Sequence, residues 1–312
     1  MKRERELKPM QVYTDAPAQY IWRPDGHIDF LSPCNVLVHH ETLKSERPEA
    51  QTRLSLRCSF NGQRHFVVDR QRFVVHDERY LLFNLGQRGL ESLDSNHPVE
   101  CLNVTFQPEY ADEVLRSLVA STENLLDDPT AESRRPLRFF TQTYPHDDLI
   151  SPVLYKFRDI PQGDQVDRGW LTEQFHLLLE RLVEVYLRVL IEAEAVPAMR
   201  RSTRIEIYQR LSLARDFIEA SLDKPVSLTD YAGVACLSPH HFLRLFKQVY
   251  GETPHPFLTR LRLKCALELL QKTEVPVTEI CFLVGFESLG SFSTLFKRHY
   301  GKSPLAFRRA PV

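Results

Sequence analysis

The last hundred residues carry one sixteen-residue pattern twice. The first copy runs Phe242-Leu-Arg-Leu245-Phe246-Lys247-Gln-Val-Tyr250-Gly251-Glu-Thr-Pro254-His-Pro-Phe257. Fifty positions later comes Phe292-Ser-Thr-Leu295-Phe296-Lys297-Arg-His-Tyr300-Gly301-Lys-Ser-Pro304-Leu-Ala-Phe307. Eight of the sixteen positions are identical. They are the aromatics, the Leu, the Lys, the Gly and the Pro, which build a short helix, its stop and its docking contact. An internal repeat is one structural unit used twice. Each copy follows another short helical segment, so each unit reads as a helix-turn-helix. Two such units on one chain reach two stretches of one face of a DNA duplex.

Charge divides along the same line. Residues 201–312 hold 16 Lys and Arg against 10 Asp and Glu, a net of +6. Residues 1–200 hold 24 against 31, a net of -7. The C-terminal third has the basic balance of a nucleic-acid binder, and the acidic remainder is expected to face away from DNA. The 312 residues allow two or three domains and a sizeable core. Cysteines at 34, 58, 101, 236, 265 and 281 include no C-x-x-C pair, which argues against a zinc knuckle. A chain of this length has no need of disulfides, so reduced cysteines and a cytoplasmic location are expected. The charged start, Met1-Lys-Arg-Glu-Arg-Glu, has no apolar stretch behind it and does not read as a signal peptide. No run of 18 apolar residues occurs, so no membrane span is expected.

The expected organisation is an N-terminal arm over 1–19, a strand-rich barrel over 20–108, a helical region over 109–195, a linker over 196–206 and the duplicated domain over 207–309. The fold class is α+β, with an all-α C-terminal domain of two helix-turn-helix units joined by a long helix. Strands are predicted at 35–40, 53–60, 64–68, 72–75, 79–83 and 100–106. Asn61-Gly62 is the strongest hairpin signal, with a further turn over Gly86–Gly89. Many short strands at this spacing point to a closed or double-sheet barrel, which can enclose one small ligand. Tyr110–Val119 reads as a helix. Pro129, Pro136, Pro145, Pro152 and Pro161 break any long element in 120–168. Trp170–Ala193 is a long helix with Phe175, Leu178, Leu179, Leu182, Val185, Tyr186, Val189 and Leu190 at steps of three and four. That stripe either packs on the barrel or forms a dimer surface.

Helices are predicted over 204–222, 230–235, 239–249, 258–270, 277–284 and 289–300. Ser238 before Pro239 is a strong helix start. With Phe242, Leu245 and Phe246 inward, His240, Leu243 and Arg244 are left for base edges. The Arg244 fork suits guanine O6 and N7. Lys247 and Ser238 are assigned to phosphate. In the second unit Phe292, Leu295 and Phe296 point inward. Gly290, Ser293 and Thr294 are the base-reading candidates, while Lys297 and Arg298 are assigned to phosphate. Ser291, or Ser288 beside it, is a further phosphate contact at the helix start. The helix over 258–270, basic in its first half through Arg260, Arg262 and Lys264, spaces the two units, about 34 Å being one turn of DNA.

This region resembles the AraC/XylS family of bacterial transcription regulators over residues 208–309, a third of the chain. The resemblance rests on Ser227-Leu-Thr-Asp-Tyr-Ala232, Leu237-Ser-Pro-His-His-Phe-Leu-Arg-Leu-Phe-Lys247, Gly251-x-x-Pro254, Arg260-Leu-Arg-Leu-x-x-Ala266, Val277-Thr-Glu-Ile280, Gly285-Phe-Glu-Ser-Leu-Gly-Ser-Phe-Ser-Thr-Leu-Phe-Lys297 and Gly301-x-x-Pro304. It implies base contacts from His240 and Arg244, with Leu243 between them, and from Gly290 and Thr294 in the second unit. Some members carry Gln and Arg at the latter two positions. Gly290 has no side chain and Thr294 reaches less far, so the sharper sequence preference is expected from the Arg244 half-site.

The strand-rich half is similar to the cupin-type sensor barrel of that family. Cupin enzymes carry a His-x-His with a downstream Glu and His. His39-His40-Glu41, His65, His76 and His97 do not match that spacing, and adjacent His39 and His40 point to opposite faces of a strand. No metal or cofactor is expected, no catalytic residue is assigned, and the chain is not expected to be an enzyme. Arg57, His65, Tyr80 and Asn84 are each readable as pocket-lining or as exposed strand residues, and none is assigned to an effector. The resemblance implies promoter DNA and RNA polymerase as partners, with a small-molecule effector, a homodimer and an activating role as further expectations. A regulator without an effector and a cupin enzyme with a DNA-binding tail are the rival readings.

Overall fold

The computed structural model describes residues 7, 9–18, 20–22, 28–30, 33–123, 138–161 and 165–309. The chain separates into two compact units, Met1–Glu192 and Ala193–Val312. Pro129 and Pro136 lie outside the described residues.

The first unit is built on two long strands, β4 (Val36–Gln51) and β9 (Arg88–Thr105), paired antiparallel along nearly their whole length. β1 (Gln11–Thr14) adds to β4, so part of the segment read as an arm is a strand of the sheet. β2 (Tyr20–Trp22) and β3 (Ile28–Phe30) form a separate two-stranded sheet. The large sheet forks at β9. Its C-terminal half pairs with β5 (Ser55–Phe60), which continues to β8 (Arg79–Phe83) and β10 (Thr143–Pro145). Its N-terminal half pairs with β6 (Arg64–Val68), followed by β7 (Gln71–Val75). Among the described residues this pairing does not close, so the sheet is an open, forked one where a closed barrel was expected.

The fork changes the expected hairpin. Asn61-Gly62 joins β5 to β6, yet these strands pair with different halves of β9 and not with each other. The tight hairpin is instead β6–β7, closed by Asp69 and Arg70 with φ of 47° and 71°. Two left-handed non-glycine residues are tolerated there because the Asp69 carboxylate accepts from Gln87 Nε2 at 2.9 Å and Arg88 N at 3.2 Å.

α1 (Pro108–Glu123), α2 (Ser151–Arg158) and α3 (Arg168–Ala193) complete this unit. Phe175, Leu178, Leu179, Leu182, Val185 and Val189 of the α3 stripe are all buried within the chain. Phe175 meets Phe106 of the sheet side and Phe157 of α2, so the stripe packs internally and is not left over as a dimer face. Of the four strand residues considered for a pocket, Tyr80 and Asn84 are buried, Arg57 is half-buried and His65 is exposed. Asn84 is committed to the backbone of Phe139, accepting from its N at 2.8 Å and donating to its O at 3.0 Å.

The second unit is all helix: α4 (Arg201–Glu219), α5 (Leu228–Val234), α6 (Pro239–Tyr250), α7 (Pro254–Lys272), α8 (Val277–Leu283), α9 (Leu289–Tyr300) and α10 (Pro304–Arg309). α4 starts inside the stretch read as linker. Two cores form. Leu211, Ala214, Ile218, Tyr231, Phe242, Phe246 and Phe257 make the first; Leu263, Ala266, Ile280, Phe292 and Phe296 make the second. α7 contributes to both, which joins the two helix-turn-helix pairs through one helix.

Candidate nucleic-acid interface

Each unit builds its second helix with the same devices. The leading helix differs: Ser227 caps α5 in a reciprocal capping box with Asp230, whereas α8 starts after Pro276 with no side-chain cap. Ser238 Oγ accepts from His241 N at 3.4 Å at the start of α6, and Ser288 Oγ accepts from Ser291 N at 3.1 Å at the start of α9. Gly251 and Gly301 stop the two helices at φ of 79° and 78°, their N–H groups donating to Lys247 O and Lys297 O. Only glycine reaches that conformation without strain. Pro254 and Pro304 then open α7 and α10 at the first helical turn.

The turns between paired helices are not identical. Leu237 N donates to Ala232 O at 2.9 Å after Cys236 at φ 51°; Phe286 N donates to Cys281 O at 3.0 Å after Gly285 at φ 90°. Two residues separate Cys236 from Ser238 in the first unit, counting the cap, and three separate Gly285 from Ser288 in the second. Glu287 is the extra residue, and it lengthens the second turn.

His240, Leu243, Arg244 and Lys247 recur at three- and four-residue steps and share one face of α6. His240, Arg244 and Lys247 are exposed and Leu243 is half-buried. Gly290, Ser293, Thr294 and Lys297 occupy the matching face of α9; Ser293 is half-buried and the rest are exposed. Ser238, Ser291 and Arg298 are exposed as well. Arg244, Lys247, Lys297 and Arg298 form no ion pair with any described residue. Their charge is therefore available to an external anion. The opposite faces supply the core: Phe242, Leu245 and Phe246 on α6, and Phe292 and Phe296 on α9, are buried, with Leu295 partly so.

Cations of the connecting helix have other work. Arg260 is paired with Glu252 at 2.8 Å, and Arg262 donates from Nε to Leu222 O at 2.8 Å. By sequence pattern alone both belong to the basic half of this helix. Three features escaped it. Gln248 donates to Ala195 O at 3.2 Å, and Arg204 binds Glu194 at 2.7 Å, so the segment entering this unit is fastened to it. Leu289, at the first position of α9, is 39% exposed beside Gly290, an apolar group next to the candidate reading face. Among the described residues, no group of three or more His, Cys, Asp or Glu side chains is placed to hold a metal ion, and no helix is long and apolar enough to cross a membrane.

Comparison with known proteins agrees with this domain. Residues 231–310 match the family described as "Helix-turn-helix domain". The "Probable transcriptional regulator LumQ" of Photobacterium leiognathi is 38% identical over 96 residues, 31% of this chain and 39% of that protein. The "HTH-type transcriptional activator RhaS" of Enterobacter sp. (strain 638) is 35% identical over 154 residues, 48% of this chain and 52% of that protein. The matched region thus spans between about two fifths and about half the length of these two relatives. Among solved structures, an AraC-type DNA-binding regulator from Chromobacterium violaceum is 32% identical, covering 33% of this chain and 95% of that one with a TM-score of 0.31. The C-terminal region of this chain is thus a helix-turn-helix domain of AraC type, similar to those of named transcriptional regulators.

Proposed function

We propose that the chain is a sequence-specific DNA-binding transcriptional regulator, with α6 and α9 each entering a major groove of promoter DNA. The observation that carries this reading is the pair of matched helix faces whose cations are uncommitted and whose spacing is set by a shared helix. On α6, Arg244 reads a guanine edge with His240 and Leu243 beside it, while Lys247 and Ser238 meet phosphate. On α9, Gly290, Ser293 and Thr294 face the bases with little reach, and Ser291, Lys297 and Arg298 hold the backbone. The α6 half-site is then the more sharply specified.

On the family resemblance, the reading extends to the first unit as an effector-binding domain of cupin type, to a homodimer, to a contact with RNA polymerase, and to activation in the bacterial cytoplasm at the nucleoid. RhaS, named a transcriptional activator, is the relative that supports the sign of the effect. An effector works here only by binding two arrangements of the protein with different affinity.

The test is selection of genomic fragments by the full-length protein, repeated with Arg244→Ala. A bipartite motif with parts about one helical turn apart, blurred in one part by Arg244→Ala, is the expected result. Binding without a motif, or a motif unchanged by the substitution, overturns the assignment of α6 to base reading.

A further inference from the structure

Ladder register divides the central strands of the first unit into two faces. His39 of β4 pairs with Leu102 of β9, and that face turns toward α2. There Glu100 accepts from His39 Nε2 at 2.8 Å and from Arg158 Nη2 at 2.7 Å. The opposite face is polar too. It carries His40 opposite Cys101, Asn103 opposite Arg57, and Ser59 opposite Cys101.

Arg64, wholly buried, fills part of that second face and uses its donors there. Nε donates to Ser59 Oγ at 2.9 Å, and Nη1 to Asn103 Oδ1 at 2.9 Å and Glu91 Oε1 at 3.3 Å. Nη2 donates to Cys58 O. Arg57 is different. Its Nη1 has only long contacts, to Leu56 O at 3.4 Å and Thr105 Oγ1 at 3.5 Å, and it forms no ion pair with a described residue. It lies over the Phe83 ring, 5.6 Å from its centre. His40 is 6% exposed and its Nδ1, fully buried, has no hydrogen-bond partner among the described residues.

Among the described residues the face therefore holds the guanidiniums of Arg57 and Arg64, the Glu91 carboxylate with Arg47 opposite it in the ladder, and an idle imidazole nitrogen. Burial pulls Arg57 down to about 10, with Glu91 opposing and Arg64 and Arg47 reinforcing. Burial likewise pulls His40 down to about 3, aided by Arg64 and Arg47, so its ring is neutral and available as a hydrogen-bonding group. A half-buried charge without an ion-pair partner and an unpaired buried polar atom both cost stability, and a bound anion lowers that cost. The guanidinium fork matches a carboxylate with two parallel hydrogen bonds. Arg57 and His40 stand on strands two steps apart, roughly 10 Å across the ladder.

We propose that this face of the sheet binds a small organic carboxylate, its carboxylate on the Arg57 fork beside the Phe83 ring and a hydrogen-bonding group at its far end on His40 Nδ1. The proposal rests on reading the first unit as an effector-binding domain and names the chemical class of that effector. Phe83 gives the ligand an apolar wall, which favours a short or aromatic acid over a polyanion.

The experiment is thermal unfolding of the full-length protein at constant ionic strength with acetate, the smallest informative carboxylate, and with acetamide, its neutral counterpart. Acetate is expected to raise the midpoint saturably by about 2–4 °C, and acetamide to leave it unchanged. Arg57→Ala is expected to abolish the acetate response while leaving the unliganded protein at least as stable, since it removes an unpaired charge; Arg57→Lys keeps part of the response. An equal response in wild type and Arg57→Ala, an equal response to acetamide, or no response to acetate overturns the carboxylate site. A neutral pentose tested in parallel separates the two ideas. If it stabilises wild type and Arg57→Ala alike, the effector reading stands and the anion assignment falls.

Discussion

Gly285 lies so close to the carbonyl of Leu222 that a Cβ built on it would stand 2.3 Å from that oxygen. The same oxygen accepts from Arg262 Nε at 2.8 Å. Within the helical unit, the turn that follows α4, the connecting helix α7 and the turn between α8 and α9 thus meet at one carbonyl. Gly285 also has φ of 90°, whereas Gly251, at φ 79°, has open space where a Cβ would point. Gly251→Ala therefore pays only for its left-handed backbone, about 1–2 kcal/mol. Gly285→Ala adds a clash with backbone and should lose roughly 3 kcal/mol. Urea unfolding of the two variants compares them; equal losses would mean that the contact at Leu222 is relaxed without cost.

Arg244→Ala and Lys247→Ala should fail in different ways. Removing Arg244 is expected to cost about 1–3 kcal/mol of discrimination at one or two base pairs. Removing Lys247 should weaken binding to all sequences alike and lower the salt slope by about one. Titrations on matched and mismatched duplexes at several salt concentrations distinguish them. A uniform loss from Arg244→Ala would place that side chain on phosphate.

Acid should loosen the first unit through His40. Its folded pKa, about 3, lies below the ordinary value of 6.5. The unfolded chain therefore binds the extra proton, and stability is lost as pH falls below 6.5, down to about 3. At Glu91, burial works upward and Arg64 more than offsets it, leaving its pKa below 4.5, so its own loss begins only below that value. The interval from 6.5 to 4.5 belongs to His40 in this pair. His40→Gln should flatten the unfolding free energy across that interval, by up to about 1.4 kcal/mol per pH unit. An unchanged slope in chemical unfolding would show that His40 is not buried neutral.

Arg64→Ala should be far more damaging than Arg57→Ala. It strands Glu91, Asn103 and Ser59 in the sheet interior, and breaking a buried pair on one side costs about 3–5 kcal/mol. Guanidinium unfolding of both variants gives the ranking, and comparable stabilities would contradict the division between a structural and an uncommitted arginine.

The second unit was largely legible in the sequence because its signals are local. Ser288 and Gly301 bound α9 at Leu289 and Tyr300, where the cap-and-stop pattern places it. α7 begins at Pro254, earlier than its apolar period indicates, because proline is accommodated in a first turn. α10 is too short for periodicity to register, although Pro304 repeats the start at Pro254. The first unit was less legible because its pairing is non-local. The β4–β9 ladder joins Val36 to Thr105 and Gln51 to Arg88, and nothing near either strand names its partner. Asn61-Gly62 looked like a hairpin by composition; β9 instead separates the strands it joins, while Asp69-Arg70 makes its turn with help from Gln87 and Arg88. At the candidate interface, the faces of α6 and α9 follow from helical period, whereas the commitment of Arg260 and Arg262 to Glu252 and Leu222 needed three dimensions.

The connecting helix enters one core through Phe257 and Leu258 and the other through Leu263, Ala266 and Leu270. Between Leu258 and Leu263 there is no room to gain or lose a residue without turning the α8–α9 pair by about 100° about the helix axis. The phase between α6 and α9 is thus encoded in the connecting helix and not in either candidate reading face. On the proposed reading, operators with altered spacing are closed to this chain by geometry, and point changes on α6 or α9 are expected to alter which letters are read without altering how far apart they lie.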